Sequence, residues 1–304
     1  MTTLTTTEDT ALFPEENTPY LHASLIKLEA IFNARHKTDH VFMNWWVGTF
    51  LMNIITLGIY PTYRFIRRVH IRNQHIQRTR AFYTTLSQII PLLPQSAEKL
   101  TGQTKELLED YDIRLESNEA VAMAKPLHWK PLAFAYGLMF VFGIVFYIIM
   151  IQLIMTSASA GHQPDPSFMK NQMASITPYS HLINLINFPF GIYWYYLLKR
   201  SMEDYPHMDK WEASLTYYLQ PLLRQLSNND NRISLPFEPQ CERRNFWIFL
   251  LLLIPTLGIN YLYIDYCCIH EAQRRFKESA RVQYRILQTV KKLAGQSPDV
   301  EKPQ

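Results

Sequence analysis

The sequence predicts an all-α integral membrane protein with three helix–glycine joint–long helix repeats and one additional transmembrane helix. Only 18% of the 304 residues are charged, and residues 131–164 contain no Asp, Glu, Lys or Arg. Such a run is long enough to cross a bilayer as a helix of about 20 residues. Three of the nine glycines lie in copies of one motif, each between an uncharged aromatic-rich run and a long polar stretch. The joint glycines are Gly58, Gly191 and Gly258, and a tyrosine lies five residues after each: Tyr63, Tyr196 and Tyr263.

The N-terminal region precedes the repeats and has two parts. Residues 1–20 are Thr-rich and acidic, without the basic start and early apolar run of a signal peptide, and predict a disordered tail. Residues 21–40 predict an amphipathic helix, because the apolar residues recur at helical spacing: Leu21, Leu25, Leu28 and Phe32.

The three repeats cover residues 41–95, 177–228 and 244–295, and each is predicted to be a membrane segment followed by a long helix of roughly 50 Å. Aligned on their glycines, the repeats share apolar positions far along these helices, which predicts a packed seam outside the membrane. The shared positions are Val69, Met202 and Ile269; Leu86, Leu219 and Ile286; Ile90, Leu223 and Val290; and Leu93, Leu226 and Leu293.

Each joint glycine is predicted to let the backbone turn or to let another helix approach closely. Pro189 and Pro255 precede two of the joints and favour a bend. The aromatic residues just after each glycine place the joints near the membrane surface, where amphipathic rings accumulate. Ordinary helix packing by aromatic side chains is the alternative.

The distribution of basic residues predicts the topology. Residues 64–130 contain eleven Lys and Arg, residues 199–244 contain seven, and eight follow residue 265, whereas residues 157–176 contain one. The positive-inside rule therefore places the long helices in the cytoplasm. The remaining predicted segments are a soluble linker at 96–131, a transmembrane helix at 132–156, a non-cytoplasmic loop at 157–176, a linker at 229–243 and a tail at 296–304.

The second repeat is predicted to cross the membrane. The third repeat is predicted to dip into the membrane as a re-entrant hairpin, and the same reasoning applies to the first. A full crossing by the third repeat would place its basic residues on the wrong side.

Two sets of residues are candidates for a site. Arg64, Arg67, Arg68 and Arg72 follow the first joint and predict a face at the lipid headgroups, which is compatible with a role in setting the topology. Three amides lie inside apolar runs, where they join helices by hydrogen bonds or line a substrate path. They are Asn53, Asn184 and Asn187.

Catalytic and cofactor motifs are absent from the sequence: it has no GxGxxG, P-loop, GxSxG or HExxH pattern. Cys241, Cys267 and Cys268 form no disulfide framework. His36 and His40 have the spacing of metal ligands on a helix, but only Asp39 accompanies them, so no metal or cofactor is expected. His70 and His270 are predicted to be exposed.

The stretch Ile-Thr-Leu-Gly-Ile-Tyr-Pro-Thr-Tyr-Arg at residues 55–64 resembles a family of small, uncharacterised bacterial membrane domains. The third copy, Pro-Thr-Leu-Gly-Ile-Asn-Tyr-Leu-Tyr, is nearly as similar, whereas the second has Pro-Phe in place of Thr-Leu. The resemblance implies a protein of the bacterial inner membrane and assigns no activity.

These observations predict a non-enzymatic scaffold, assembly or membrane-shaping component. Its expected partners are the lipid bilayer, including anionic lipid, and a second copy or a membrane complex, and nucleic acid is not expected. The net charge of +4 says little by itself. A channel or transporter subunit is the alternative and predicts a polar path through the three asparagines. A lipid-modifying enzyme is the third hypothesis, for which the joints offer only Asp265 as a carboxylate.

Overall fold

The structure is a computed structural model that describes residues 18–39, 47–56, 59–159, 166–228, 230, 232–242, 244–253 and 259–296. The predicted all-α class is confirmed, since the regular elements in these ranges are all helical. They are α1 (Thr18–Asn33), α2 (Arg35–Thr38), a π-helical turn (Val47–Leu51), α3 (Met52–Ile55), α4 (Ile59–Ile89), a 3₁₀ turn (Ile90–Leu92), α5 (Ser96–Lys99), α6 (Gln103–Leu115), α7 (Asn118–Ala124), α8 (Lys130–Ser159), α9 (Pro166–Leu226), α10 (Phe246–Leu253) and α11 (Ile259–Leu293).

The N-terminal amphipathic helix is confirmed as α1. Its four predicted apolar residues, Leu21, Leu25, Leu28 and Phe32, are all buried. Helix α1 packs against α4 and α11, so it covers the long helices as a fourth element of their bundle.

The predicted seam between the repeats is confirmed at all four sets of aligned positions, because each of the twelve side chains is buried. The three sets from Leu86 onwards belong to one apolar cluster, together with the buried side chains of α1. Helices α4, α9 and α11 therefore form the centre of a bundle within a single chain.

The predicted soluble linker at 96–131 contains three helices, α5, α6 and α7, which pack against α9. Tyr111 on α6 and Met123 on α7 are buried in the main cluster. Helix α7 begins after Ser117, whose hydroxyl accepts a hydrogen bond from the Ala120 backbone N–H at 3.3 Å. The linker is thus part of the bundle.

The structure corrects the predicted joint at Gly191, which lies inside the continuous helix α9. A glycine in a helix interior costs only about 1 kcal/mol relative to alanine, and the long helix on both sides absorbs that cost. Helix α9 also begins at Pro166, so the loop predicted to reach residue 176 is helical from that point. Proline suits a first helical position, where its missing N–H has no partner to lose. Gly58 and Gly258 lie outside the described residues.

None of the helices in the described ranges combines the length and the hydropathy needed to cross a bilayer. Helix α8 covers the crossing predicted at 132–156.

Candidate functional site: an aromatic belt between an apolar end and a charged core

Apolar side chains are exposed on four segments beside the N-terminal halves of the long helices. On α8, every residue from Phe140 to Val145 is exposed. Successive helical residues are about 100° apart, so the exposed apolar surface surrounds this helix. We call the four segments the apolar end; their exposed residues include Phe50, Leu51, Ile54 and Ile55 near α3, Phe140, Phe142, Ile144 and Tyr147 on α8, Leu185, Phe188 and Ile192 on α9, and Trp247, Ile248 and Leu251 on α10.

The three repeat tyrosines lie next to the apolar end. Tyr63, Tyr196 and Tyr263 are exposed to nearly the same extent, 51%, 49% and 58%. Equivalent positions in three different helices therefore present a phenol ring to the surroundings. This exposure argues against the alternative that these three rings pack between the helices of the chain, and the position at a membrane surface stays a prediction.

Contacts between the helices place further aromatic residues in the same layer. The rings of Phe65 and Trp194 are 5.6 Å apart, and the Tyr193 hydroxyl donates to the His128 carbonyl at the start of α8. The Lys199 ammonium lies 5.9 Å from the centre of the Trp247 ring on α10. We call this layer the belt: Tyr63, Phe65, Tyr193, Trp194, Tyr196, Trp247, Tyr263 and Trp129, which directly follows His128.

Three of the four arginines predicted to meet lipid headgroups point inward instead. Arg64 and Arg68 both donate to the carboxylate of Asp265 on α11, at 2.5 and 3.0 Å. Arg64 also donates to the Thr49 hydroxyl at 2.8 Å, which ties the apolar segment before α3 to α4. The sequence prediction is corrected because a carboxylate of another repeat lies opposite these guanidinium groups. Each oxygen of the Asp265 carboxylate thus accepts a hydrogen bond from one arginine of α4.

Arg72 is the third inward arginine and fastens α4 to two other elements. Its guanidinium donates to Asp204 on α9 at 2.6 Å and to the carbonyls of Met123 and Lys125 at 2.7 and 3.1 Å. Burial raises the pKa of Asp204, and it lowers the pKa of Arg72. Both shifts reflect the cost of removing charge from water, which the pair offsets by its mutual attraction. Of the four arginines, only Arg67 is exposed.

A second group of charges lies deeper, between all three long helices. Glu212 on α9 is fully buried and binds Arg275 on α11 at 2.9 Å. Arg275 also binds Asp209, a second buried carboxylate of α9. The Glu212 carboxylate accepts further hydrogen bonds from the Tyr83 hydroxyl of α4 at 2.9 Å and the Ser279 hydroxyl of α11 at 2.7 Å. Each long helix thus contributes to one polar network inside an otherwise apolar bundle.

Burial dominates the titration of this network. It raises the pKa of Glu212 to about 7, against the hydrogen bonds from Ser279, Tyr83 and Gln283 that favour the carboxylate. Burial also lowers the pKa of Arg275 to about 10. These shifts show that the bundle holds its charges at an electrostatic cost.

A third buried contact joins the end of α2 to α4. Asp39 accepts hydrogen bonds from Arg78 at 2.6 Å and lies 2.9 Å from His75 Nδ1. Burial lowers the pKa of His75 to about 4, although Asp39 opposes the shift. The imidazole is therefore neutral near pH 7, and it packs 4.4 Å from the Phe276 ring of α11.

Aligning the repeats on their glycines would have revealed this network. His75, Met208 and Arg275 occupy equivalent positions, and the next two sets along the same face are Thr79, Glu212 and Ser279, and Tyr83, Thr216 and Gln283. All nine side chains are buried. The sequence analysis followed only the apolar positions of this register and missed the polar ones.

The structure describes the side chains of some of the remaining candidate residues. The side chains of Asn53, Asn184 and Asn187 lie outside the described side chains, so the predicted polar path stays a prediction. His70 and His270 are exposed, as predicted. Within the described part of the chain, no group of three His, Cys, Asp or Glu side chains could hold a metal ion.

A groove of about 720 Å³ lies at the far end of the bundle, between the end of α9, the segment 230–235 and α11. Lys99 donates to the carbonyl of Leu226, the last residue of α9, at 2.8 Å, a contact typical of helix C-termini. Arg224 donates to the Ile233 carbonyl at 2.7 Å and holds the segment after α9 against the helix. Both contacts stabilise this end of the bundle.

Comparison with protein-family models, with curated proteins and with solved structures finds no match to the chain. The resemblance of residues 55–64 to the bacterial membrane-domain family therefore stays a prediction.

Proposed function

We propose that the protein is a non-enzymatic membrane scaffold, in which the apolar end enters the bilayer and the charged bundle forms a cytoplasmic platform. The observation that carries this proposal is the exposure of apolar side chains on every side of α8 between Phe140 and Val145. Water would disfavour such a surface by about 25 cal/mol per Å². A bilayer would favour it.

The continuity of α9 supports the deepest insertion for the second repeat. Helices α10 and α3 are described over eight and four residues, beside segments that lie outside the described residues. Helix α9 instead continues unbroken from Pro166 through the belt. In the proposed arrangement, α8 and the first half of α9 insert most deeply into the inner membrane of a bacterium, while the first and third repeats dip into it.

The platform's partners must bind outside the seam. The apolar faces of α4, α9 and α11 are buried against one another within the chain. A second copy or a membrane complex would therefore use the remaining faces of the bundle or of the apolar end.

The membrane proposal is tested by matched double substitutions. Phe142 and Val145 are exposed on α8, and Ile113 and Val121 are exposed on the bundle. Phe142→Asp/Val145→Asp should release the chain from membranes washed with alkaline carbonate, since each Asp costs about 3 kcal/mol in the bilayer. Ile113→Asp/Val121→Asp should stay in the pellet with the wild type.

Sedimentation of the expressed full chain, followed by flotation with phospholipid vesicles, measures the outcome. Recovery of the wild type in the carbonate supernatant, or equal behaviour of the two double variants, would refute membrane insertion. Purification of the wild type as a monomer in detergent, without a second protein, would refute the assembly role.

A further inference from the structure

Exposed basic and aromatic side chains form a patch where α4 passes the start of α8. The His70 ring meets the Trp129 ring edge to face at 6.1 Å between centres. Arg67 lies three residues before His70, on the same side of α4, and Lys130 directly follows Trp129. Arg67, His70 and Lys130 are exposed, and in the described ranges no ion pair joins these three residues to a carboxylate.

An apolar crevice begins one helical turn beyond this patch. It has a volume of about 160 Å³ and lies between α8 and α9. Its lining consists of Leu132, Ala135, Tyr136, Met139, Phe190, Gly191 and Trp194. The crevice continues toward the exposed apolar residues of α8, such as Phe140, and of α9, such as Ile192.

Gly191 keeps this crevice open. A Cβ atom built on Gly191 meets no heavy atom of a neighbouring residue within 4 Å. The close contacts around Gly191 therefore do not require a glycine. Because Gly191 lines the crevice, a large side chain at this position would reduce the space in it.

We propose that one anionic phospholipid binds here, with its phosphate at the patch of Arg67, His70 and Lys130 and an acyl chain in the crevice at Gly191. The proposal rests on the membrane scaffold function and specifies the lipid that the belt binds. Charge complementarity selects an anionic headgroup, because the patch is basic. The apolar lining favours a hydrocarbon chain, because the crevice opens toward the exposed apolar residues of the apolar end.

The test is a titration of the delipidated full chain in detergent with phosphatidylglycerol or phosphatidylcholine, with bound lipid counted by native mass spectrometry. The wild type should bind phosphatidylglycerol more tightly than phosphatidylcholine. Arg67→Gln/Lys130→Gln should weaken phosphatidylglycerol binding by roughly 25-fold, about fivefold for each charge. Phosphatidylcholine has the same phosphate but no net charge, so its binding should weaken less, and the preference for phosphatidylglycerol should shrink. Arg232→Gln/Arg285→Gln removes two exposed cations at the far end and should change neither.

Filling the crevice tests the second half of the site. Gly191→Leu should weaken the binding of both lipids by about tenfold or more, since it excludes buried methylenes. Gly143→Leu is the matched control on α8, where a Cβ also meets nothing within 4 Å, and it should bind like the wild type. Gly191→Ala adds one methyl group, retains the helix and should give an intermediate affinity.

Equal affinities of Gly191→Leu and Gly143→Leu would overturn the acyl-chain site. Displacement of the lipid by millimolar inorganic phosphate would also overturn it, because a free anion would then be the ligand. If the wild type stays in carbonate-washed membranes but binds neither lipid, the lipid site is refuted and the scaffold function is not. If alkaline carbonate releases the wild type from membranes, the scaffold function is refuted.

Discussion

The two halves of helix α9 differ in which side chains they expose and which they bury. Between Lys170 and Lys199 it carries no Asp, Glu, Lys or Arg, and Leu185, Phe188 and Ile192 are exposed. Beyond Lys199 the same helix buries three carboxylates, Asp204, Asp209 and Glu212. The first half is apolar outside, and the second half is charged inside.

The difference shows that the burial of a side chain in α9 depends on the partners that neighbouring helices offer, and not on residue type alone. The buried carboxylates of α9 are acceptable because Arg72 and Arg275 reach them from α4 and α11. The apolar residues Leu185, Phe188 and Ile192 of the first half are exposed instead. The following predictions compare buried positions of the bundle with exposed positions, or with each other.

The largest effect is expected from breaking the Arg275 network. Arg275→Met leaves Asp209 and Glu212 buried without their cation and should lower the free energy of unfolding by about 3–5 kcal/mol. Arg281→Met, on the exposed side of the same helix, should cost less than about 1 kcal/mol. Denaturant unfolding followed by circular dichroism measures both. Equal losses would show that the buried charges matter no more than a solvated pair.

The next effect separates the apolar seam from the apolar end. Leu219 is fully buried, whereas Leu185 is 72% exposed. Leu219→Ala should lower the free energy of unfolding by about 2–5 kcal/mol through lost burial and a cavity, and Leu185→Ala should change it by less than about 0.5 kcal/mol. The same unfolding measurement applies. A large loss from Leu185→Ala would place that residue inside a packed interface.

The smallest effect is a pH dependence in which two buried groups oppose each other. The pKa of Glu212 is raised from 4.5 to about 7, so its contribution to stability grows as pH falls through that range. The pKa of His75 is lowered from 6.5 to about 4, so its contribution is lost as pH falls between those values. Each contribution is up to about 3 kcal/mol, and in the wild type they largely cancel.

Replacing either Glu212 or His75 should reveal the pH dependence of stability that the other group causes. Glu212→Gln should destabilise steeply on acidification from pH 7 to pH 4.5, whereas His75→Gln should become more stable over the same range. Unfolding free energies measured across this range give the two slopes. Slopes of the same sign would contradict the opposed titrations.

The sequence predicted the bundle through the register of its repeats. Leu86, Leu219 and Ile286 were predicted to correspond because the repeats were aligned on their joint glycines, well before these positions. All three side chains are buried in one apolar cluster. This succeeded because a buried apolar seam must recur at helical spacing in every copy. The exposed repeat tyrosines follow from the same alignment.

The arginine face could not be predicted in the same way. Arg64, Arg68 and Arg72 have the spacing of one helix face, and a basic face is usually solvated. Whether they turn inward depends on Asp204 and Asp265, which belong to other repeats. Gly191 also looked like the other joint glycines, yet α9 continues through it, because local sequence does not determine whether a helix ends at a glycine.

The uneven polar layer has a consequence for the symmetry of the bundle. A symmetric trimer of identical single repeats would place three copies of one residue around the axis: three glutamates at the position of Glu212, or three arginines at that of Arg275. Three like charges in a dry interior would repel one another. Because the three long helices belong to one polypeptide, they can carry unlike residues, so a carboxylate, a guanidinium and a phenol complement one another. The long helices are therefore not interchangeable, and replacing one of them by a copy of another would lose this match.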